Sequence, residues 1–254
     1  MVSRILLHIP HSSTHIPEDL PGSFTAGPDS IRRNIVALTD YAVDQLFDSP
    51  RHQNRLISPV SRLICDVERF RNDADEIMAS SGMGAVYTHG AYGEVLRPYC
   101  EDLRSAILTR YYDPHHRRLL TMASEAIEDN GLCVIVDAHS FPSAPLPIDL
   151  DQSKDRPDIC IGTDDCHTPR GLADTVRDCA QSLGFSVEEN KPYQGTIVPL
   201  PLLGSTAPIR SIMIEVNRRL YMDEVNQQLI PCFFEMKEMM GALLDTIDAW
   251  AKQN

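Results

Sequence analysis

Histidines, carboxylates and arginines follow short apolar runs at several places in this chain, and these are the residue types that bind metal ions and move protons. His11 closes the stretch His8-Ile9-Pro10-His11 after Ile5-Leu6-Leu7, and His15 follows shortly after it. Asp66, Glu68 and Arg69 follow Arg62-Leu63-Ile64-Cys65. Asp137 and His139 follow the run from Leu132 to Val136, and Glu215 follows Ile212-Met213-Ile214. Catalytic zinc takes three protein ligands from His, Asp or Glu and keeps a position open for water. His11 and His139 suit two of these places; Asp40, Asp66, Glu68 and Glu215 compete for the third. HExxH is absent, and position 14 is Thr14, so there is no HxxE after His11. The carboxylate must come from elsewhere in the chain. His8 and His15 read as loop histidines that cap backbone groups.

Other residues have two readings each. Glu215, after three apolar residues, would be partly desolvated and its pKa raised, which suits a general base; otherwise it pairs with Arg218 or Arg219. Arg69 could hold a substrate carboxylate through two parallel hydrogen bonds, or pair with Asp66 or Glu68. His116, at a helix start, could touch substrate or lie idle on a helix surface. Asn190 to Gly195 reads as a turn whose glycine lets backbone approach a ligand, although an ordinary turn explains it equally well.

The apolar runs at 5–7, 62–65, 132–136, 158–161 and 212–214 predict buried strands. Helical spacing predicts helices over 30–47, 92–112 and 114–128. Thr168-Pro169 opens another, running to Leu183 and stopped by Gly184. A long C-terminal helix is expected over 222–250, with a break near Pro231. This alternation argues an α/β domain, residues 1–254, with a mixed or parallel sheet covered on both faces. In such sheets ligands bind beyond the carboxyl ends of the strands, where the polar residues above are placed. Phe141 to Pro157, with four prolines, reads as an active-site loop rather than a linker.

The chain has 36 acidic and 23 basic residues, a net charge of −13, which disfavours nucleic acid and anionic lipid as partners. No apolar run approaches the roughly 20 residues of a membrane span. Seven scattered cysteines without a CxxC pair read as reduced thiols. A soluble, cytoplasmic protein is expected. Neither GxGxxG nor GxxxxGK[ST] occurs, which disfavours a nucleotide-binding module.

Taken together, the chain resembles the N-formylglutamate amidohydrolase family. The matching segments, in order, are Pro10-His11-Ser12, Thr39 to Asp44, Ser61-Arg62 through Asp66 to Arg69, and Pro114-His115-His116. They continue with Val136 to Ser140, Pro157-Asp158 to Gly162-Thr163, Tyr193-Gln194-Gly195, and Ile214-Glu215 to Glu224. The resemblance implies a mixed, mostly parallel sheet flanked by helices, similar to carboxypeptidase-like zinc hydrolases. It implies one zinc ion per chain on His11, His139 and Asp40, with Glu215 as general base. Arg69 would hold the substrate, with His116, Tyr193, Gly195 and Arg218 around it. The implied reaction is hydrolysis of a small anionic N-formyl or N-acyl amino acid such as N-formylglutamate. The chain departs from the family at Glu68, where Asn is common, and at His115, where an aromatic residue is usual. The rival readings are a non-catalytic small-molecule binding relative, which would have no use for Glu215 as a base, and a metal-dependent phosphoesterase, which would need more carboxylates bridging two metals.

Overall fold

The computed structural model describes residues 3–20 and 23–254. Its centre is a six-stranded sheet in the order β2-β1-β3-β6-β4-β5. The strands are β1 (Ile5–Ile9), β2 (Arg55–Ile57), β3 (Cys133–Phe141), β4 (Ile159–Gly162), β5 (Val187–Glu189) and β6 (Ile209–Asn217). β2, β1, β3 and β6 run parallel; β4 is antiparallel to β6, and β5 is parallel to β4. The helices are α1 (Pro28–Leu38), α2 (Val43–Leu46), α3 (Glu101–Ile107), α4 (Asp113–Asn130), α5 (Arg170–Ser182) and α6 (Phe233–Gln253). The mixed, mostly parallel α/β architecture matches the sequence-based expectation.

Successive strand residues point to opposite faces, and this parity places the chemistry. On one face Leu7, Val136, Ile212 and Ile214 pack with Leu172 and Val176 of α5 and Leu243 and Ile247 of α6. On the other, Leu6, Cys133 and Ile135 pack against Leu119, Met122 and Ala126 of α4. Continuing along that second face, the same parity brings up His8 on β1, Asp137 and His139 on β3, and Glu215 on β6. His8 is the register partner of Asp137, and His139 of Glu215. There the first turn of α4 and irregular loops replace the helix as cover.

Several elements differ from expectation for local reasons. Arg62 to Cys65 is a turn rather than a strand: the Ser61 carbonyl accepts from the N–H groups of Ile64 and Cys65, and Ser61 Oγ accepts from Leu63 N. The short edge strand β2 lies before it instead. The expected helix over 30–47 breaks after Leu38; Asp40 N donates to the His11 carbonyl and Ala42 takes a left-handed φ of 56°. Residues 92–100 are not helical, and a π-helical turn (Leu108–Tyr112) joins α3 to α4. The expected helix over 222–250 begins only at Phe233. Before it, β7 (Met222–Asp223) and β8 (Gln228–Leu229) form a hairpin, with Asp223 Oδ1 accepting from Val225 N and Asn226 N. The α5 boundaries agree closely, but Thr168 does not cap it; its hydroxyl donates to the Ser211 carbonyl.

Gly162 ends β4 under the 190–195 turn. A Cβ there would lie 2.2 Å from the Gly195 carbonyl oxygen and 2.4 Å from the Met213 methyl. The backbone contact leaves no room for adjustment by a side chain alone. Gly162→Ala is expected to destabilise the protein by about 1–3 kcal/mol in urea unfolding, with faster hydrogen exchange confined to residues 190–196.

Candidate active site and metal centre

A cavity of about 900 Å³ opens at the carboxyl ends of β3 and β6. Its floor carries His11, Asp40, Asp137, His139 and Glu215; its walls include the 141–157 loop and the 190–195 turn. The loop that the proline content marked as part of an active site therefore borders the cavity.

His11, Asp40 and His139 each offer a ligand atom, all within 4.8 Å of one another. His139 Nδ1 lies 3.0 Å from Asp40 Oδ2, and His11 Nδ1 lies 3.7 Å from the same oxygen. His11 Nδ1 is buried without a hydrogen-bond partner, while His11 Nε2 bonds Asp66 Oδ1 at 2.9 Å. Because a carboxylate only accepts, the proton sits on Nε2 and Nδ1 presents a lone pair. A carboxylate holding the far nitrogen of a histidine is the usual outer partner of a metal-ligating imidazole. Two nitrogens and one carboxylate oxygen suit a borderline cation such as zinc, so the residues fit that ion.

The surrounding charges reinforce this. Asp66 is fully buried; burial raises its pKa, but Arg62, His11 and Arg69 outweigh that and hold it far below the ordinary range. Arg62 Nη2 and Tyr87 Oη both donate to Asp66 Oδ2, at 2.7 Å and 2.6 Å. For Asp40, burial is again outweighed, here by bonds to His11 and His139, and Arg218 Nη2 donates to its other oxygen at 3.2 Å. His139 shows the reverse. Burial lowers its basicity, yet Glu68, Asp137 and Asp40 raise it well above normal. The cluster is an anionic cage that favours positive charge.

Glu215 sits 7% exposed beside this cluster, and its Oε2 is buried with no partner. Burial first, then the charges of Asp40 and Glu68, push its pKa up to about 8 against the opposing His139 and Arg218. No ion pair to Arg218 or Arg219 forms: Arg218 is bonded to Ser140, the Ala37 carbonyl and Asp40, and Arg219 to Asp158.

The other expected site residues all border the cavity. Arg69 touches Asp66 and Glu76 only at 3.6 Å, and its Nε has no hydrogen-bond partner. Tyr193 Oη accepts from Arg156 and donates to Asp149 Oδ2, both at 3.2 Å. Gly195 takes a φ of 87° in the adjoining turn. His116 Nε2 donates to the Val67 carbonyl at 2.8 Å, and its ring lies 4.2 Å from that of Tyr112 in the π-helical turn. Two groups escaped the sequence reading. His8 is no capping loop residue: it is a strand residue with no exposure, bonded to Asp137 Oδ1 at 2.8 Å and to His115 Nε2 at 2.9 Å. Tyr87 carried no signal, since its role depends on a loop folding back onto Asp66. Glu68 and His115, where the resemblance implied other residue types, both meet His8.

Burial pushes the His116 pKa down to about 4, against a stabilising bond to Val67, whereas an unfolded histidine titrates near 6.5. Between these values the unfolded chain binds more protons, so acid favours unfolding. His116 therefore contributes stability that is full above about pH 6.5 and declines toward pH 4. Urea unfolding at several pH values should show His116→Phe losing less stability than wild type over this window; parallel curves would contradict the assignment.

The N-formylglutamate amidohydrolase family model matches residues 3–222. Among solved structures, N-formylglutamate amidohydrolase from Ralstonia eutropha JMP134 superposes with a TM-score of 0.83 at 22% identity, covering 99% of this chain and 95% of that one. The gene product Atu2144 of Agrobacterium tumefaciens superposes with a TM-score of 0.68, also at 22% identity, over 96% and 92% of the two chains. No curated protein matches the chain. With the family match spanning most of its length, this chain belongs to the N-formylglutamate amidohydrolase family and is an amidohydrolase.

Proposed function

We propose that the chain hydrolyses the amide bond of an N-formyl or N-acyl amino acid, such as N-formylglutamate, with one zinc ion held by His11, Asp40 and His139. The observation that carries this reading is Glu215: a buried carboxylate of raised pKa, with one oxygen unpartnered, paired in register with His139. A zinc ion at the cluster would supply Lewis-acid activation of water and of the amide carbonyl. Glu215 takes the proton of the attacking water on its free oxygen and delivers it to the leaving nitrogen. Arg69, whose guanidinium is the least committed of the three cavity arginines, receives the substrate carboxylate. Neutral His116 spends its N–H on Val67 and offers Nδ1 as an acceptor, which suits a substrate N–H. Arg218 acts through Asp40 and β3, while Tyr193 and Gly195 shape the wall. We place the enzyme, as one unit over residues 1–254, in the cytoplasm; its seven cysteines are all free thiols, and no helix among the described residues is long and apolar enough to cross a membrane.

Glu215→Gln keeps the shape and removes the base. Turnover should fall by about 10²–10⁴ while zinc content and melting temperature hold. A chelator should abolish wild-type hydrolysis and added zinc restore it. Normal turnover in the mutant would sink the catalytic assignment and leave a binding protein as the better reading; loss of zinc along with activity would make Glu215 a ligand.

A second reading of the substrate rests on the cavity mouth. Phe70, Ile77, Leu150, Leu200 and Leu203 are exposed large apolar residues, and all five line the same cavity. Such a patch marks contact with apolar ligand surface and favours N-acyl amino acids with an apolar side chain or acyl group. Under this reading N-formylleucine should exceed N-formylglutamate in kcat/KM; the opposite order restores the acidic substrate. In either case Arg69→Lys should raise KM for the better substrate by the equivalent of about 1–3 kcal/mol, and an amide-capped substrate should be equally poor with both forms.

A further inference from the structure

We propose that the chain binds a second divalent transition-metal ion beside the first, through His8, Asp137 and Glu68, with the Glu68 carboxylate shared between the two ions. This rests on the reading of His11, Asp40 and His139 as a metal site.

The donor atoms of His8, Glu68 and Asp137 lie within 4.8 Å of one another. Glu68 stands between the two groups. Its Oε1 is 3.7 Å from His8 Nδ1, and its Oε2 is 3.6 Å from His11 Nδ1. Its Oε1 also meets His139 Nε2 at 3.2 Å. Two ligands of one tetrahedral zinc, each about 2.0–2.1 Å from the metal, sit roughly 3.4 Å apart. Each oxygen of Glu68 is thus close to ligand spacing from the histidine of its own group. His8 Nδ1 and Asp137 Oδ1 are closer, at 2.8 Å; an ion would replace this hydrogen bond and require an opening of about half an ångström.

Charge balance points the same way. Asp40 has Arg218 and Asp66 has Arg62. Among the described residues, neither Glu68 nor Asp137 has an arginine or lysine in ion-pair range; their charged-group contacts are His8, His11 and His139. A histidine that ligates a metal does so as a neutral imidazole. His11 and His139, once engaged by the first ion, bring no charge to the two carboxylates. Asp137 is 1% exposed, and a buried carboxylate without a counter-charge is strongly unfavourable. A divalent ion on this group restores the balance.

The outer partner is also present. With Nδ1 given to the ion, His8 carries its proton on Nε2, which faces His115 Nε2 at 2.9 Å. His115 accepts there as a neutral imidazole. This matches His11, whose far nitrogen donates to Asp66, and such outer hydrogen bonds fix the ligand ring.

The test is metal stoichiometry, with manganese(II) as the probe. Full-length protein is stripped, loaded with excess manganese, desalted and analysed for metal content and by electron paramagnetic resonance. Wild type should hold two ions per chain with an exchange-coupled spectrum. Glu68→Ala, a partly exposed site where folding is not at risk, should hold one ion with an uncoupled spectrum and unfold cooperatively; His8→Leu, although it removes a buried partner of Asp137 and His115 and lowers the melting temperature, should also hold one uncoupled ion in the folded protein. One ion in wild type, or two uncoupled ions, overturns the proposal and leaves the first site standing. No bound ion, repeated with zinc, overturns the first site as well. Variants that still hold two coupled ions would take the second site away from these residues.

Discussion

The constraint on which this structure depends is the burial of carboxylates together at the ends of two central strands. Asp40, Asp66, Asp137 and Glu215 are all buried, with Glu68 at their edge. Ionised carboxylates leave water only if opposite charge or convergent hydrogen bonds replace it. Asp66 is met by Arg62, Tyr87 and His11, and Asp40 by Arg218, His11 and His139. What these partners leave uncompensated is a concentrated demand for positive charge among three histidines. That demand is what fits the cluster to a cation, and it raises the pKa of the Glu215 carboxyl, the last in the row.

The scaffold meets this constraint with rigid elements. Four of the key side chains are strand residues on one face, held by β1–β3 and β3–β6 pairing. Arg218 begins the short 3-10 turn after β6 and reaches back to both Asp40 and Ser140, fastening the end of β3 to the segment after α1. On the open side the π-helical turn places Tyr112 against His116 and under the Arg69 carbonyl, to which its hydroxyl donates. π-turns of this kind occur at functional sites because the extra residue re-aims a side chain. Here the segment carrying Arg69 gains a fixed support while its buried Nε has no hydrogen-bond partner among the described residues.

The same arrangement separates the two proposed tasks physically. The candidate metal-ligand residues sit on the sheet and on the segments directly after β1 and α1. The cavity walls come from loops, which can vary without disturbing sheet pairing. The apolar rim, Glu68 and His115 lie outside the His11, Asp40, His139 set.

The central strands, the α5 boundaries and the place of the proline-rich loop beside the cavity were legible from local pattern, because apolar runs and breakers act over a few residues. The placement of His11, His139 and Glu215 near one another followed from strand ends collecting on one side of a parallel sheet, even though β3 and β6 run on past His139 and Glu215. The errors had one physical origin. The turn at Ser61, the break after Leu38 and the hairpin before α6 are set by hydrogen bonds whose alternatives have similar local propensity. His8 was misread because its partners, Asp137 and His115, are more than 100 residues away; a histidine in an apolar stretch has no local mark that separates a cap from a buried site residue. Residue types and their side of the sheet are local properties. Which nitrogen meets which oxygen depends on cross-strand register and loop closure, and those exist only once the chain has folded.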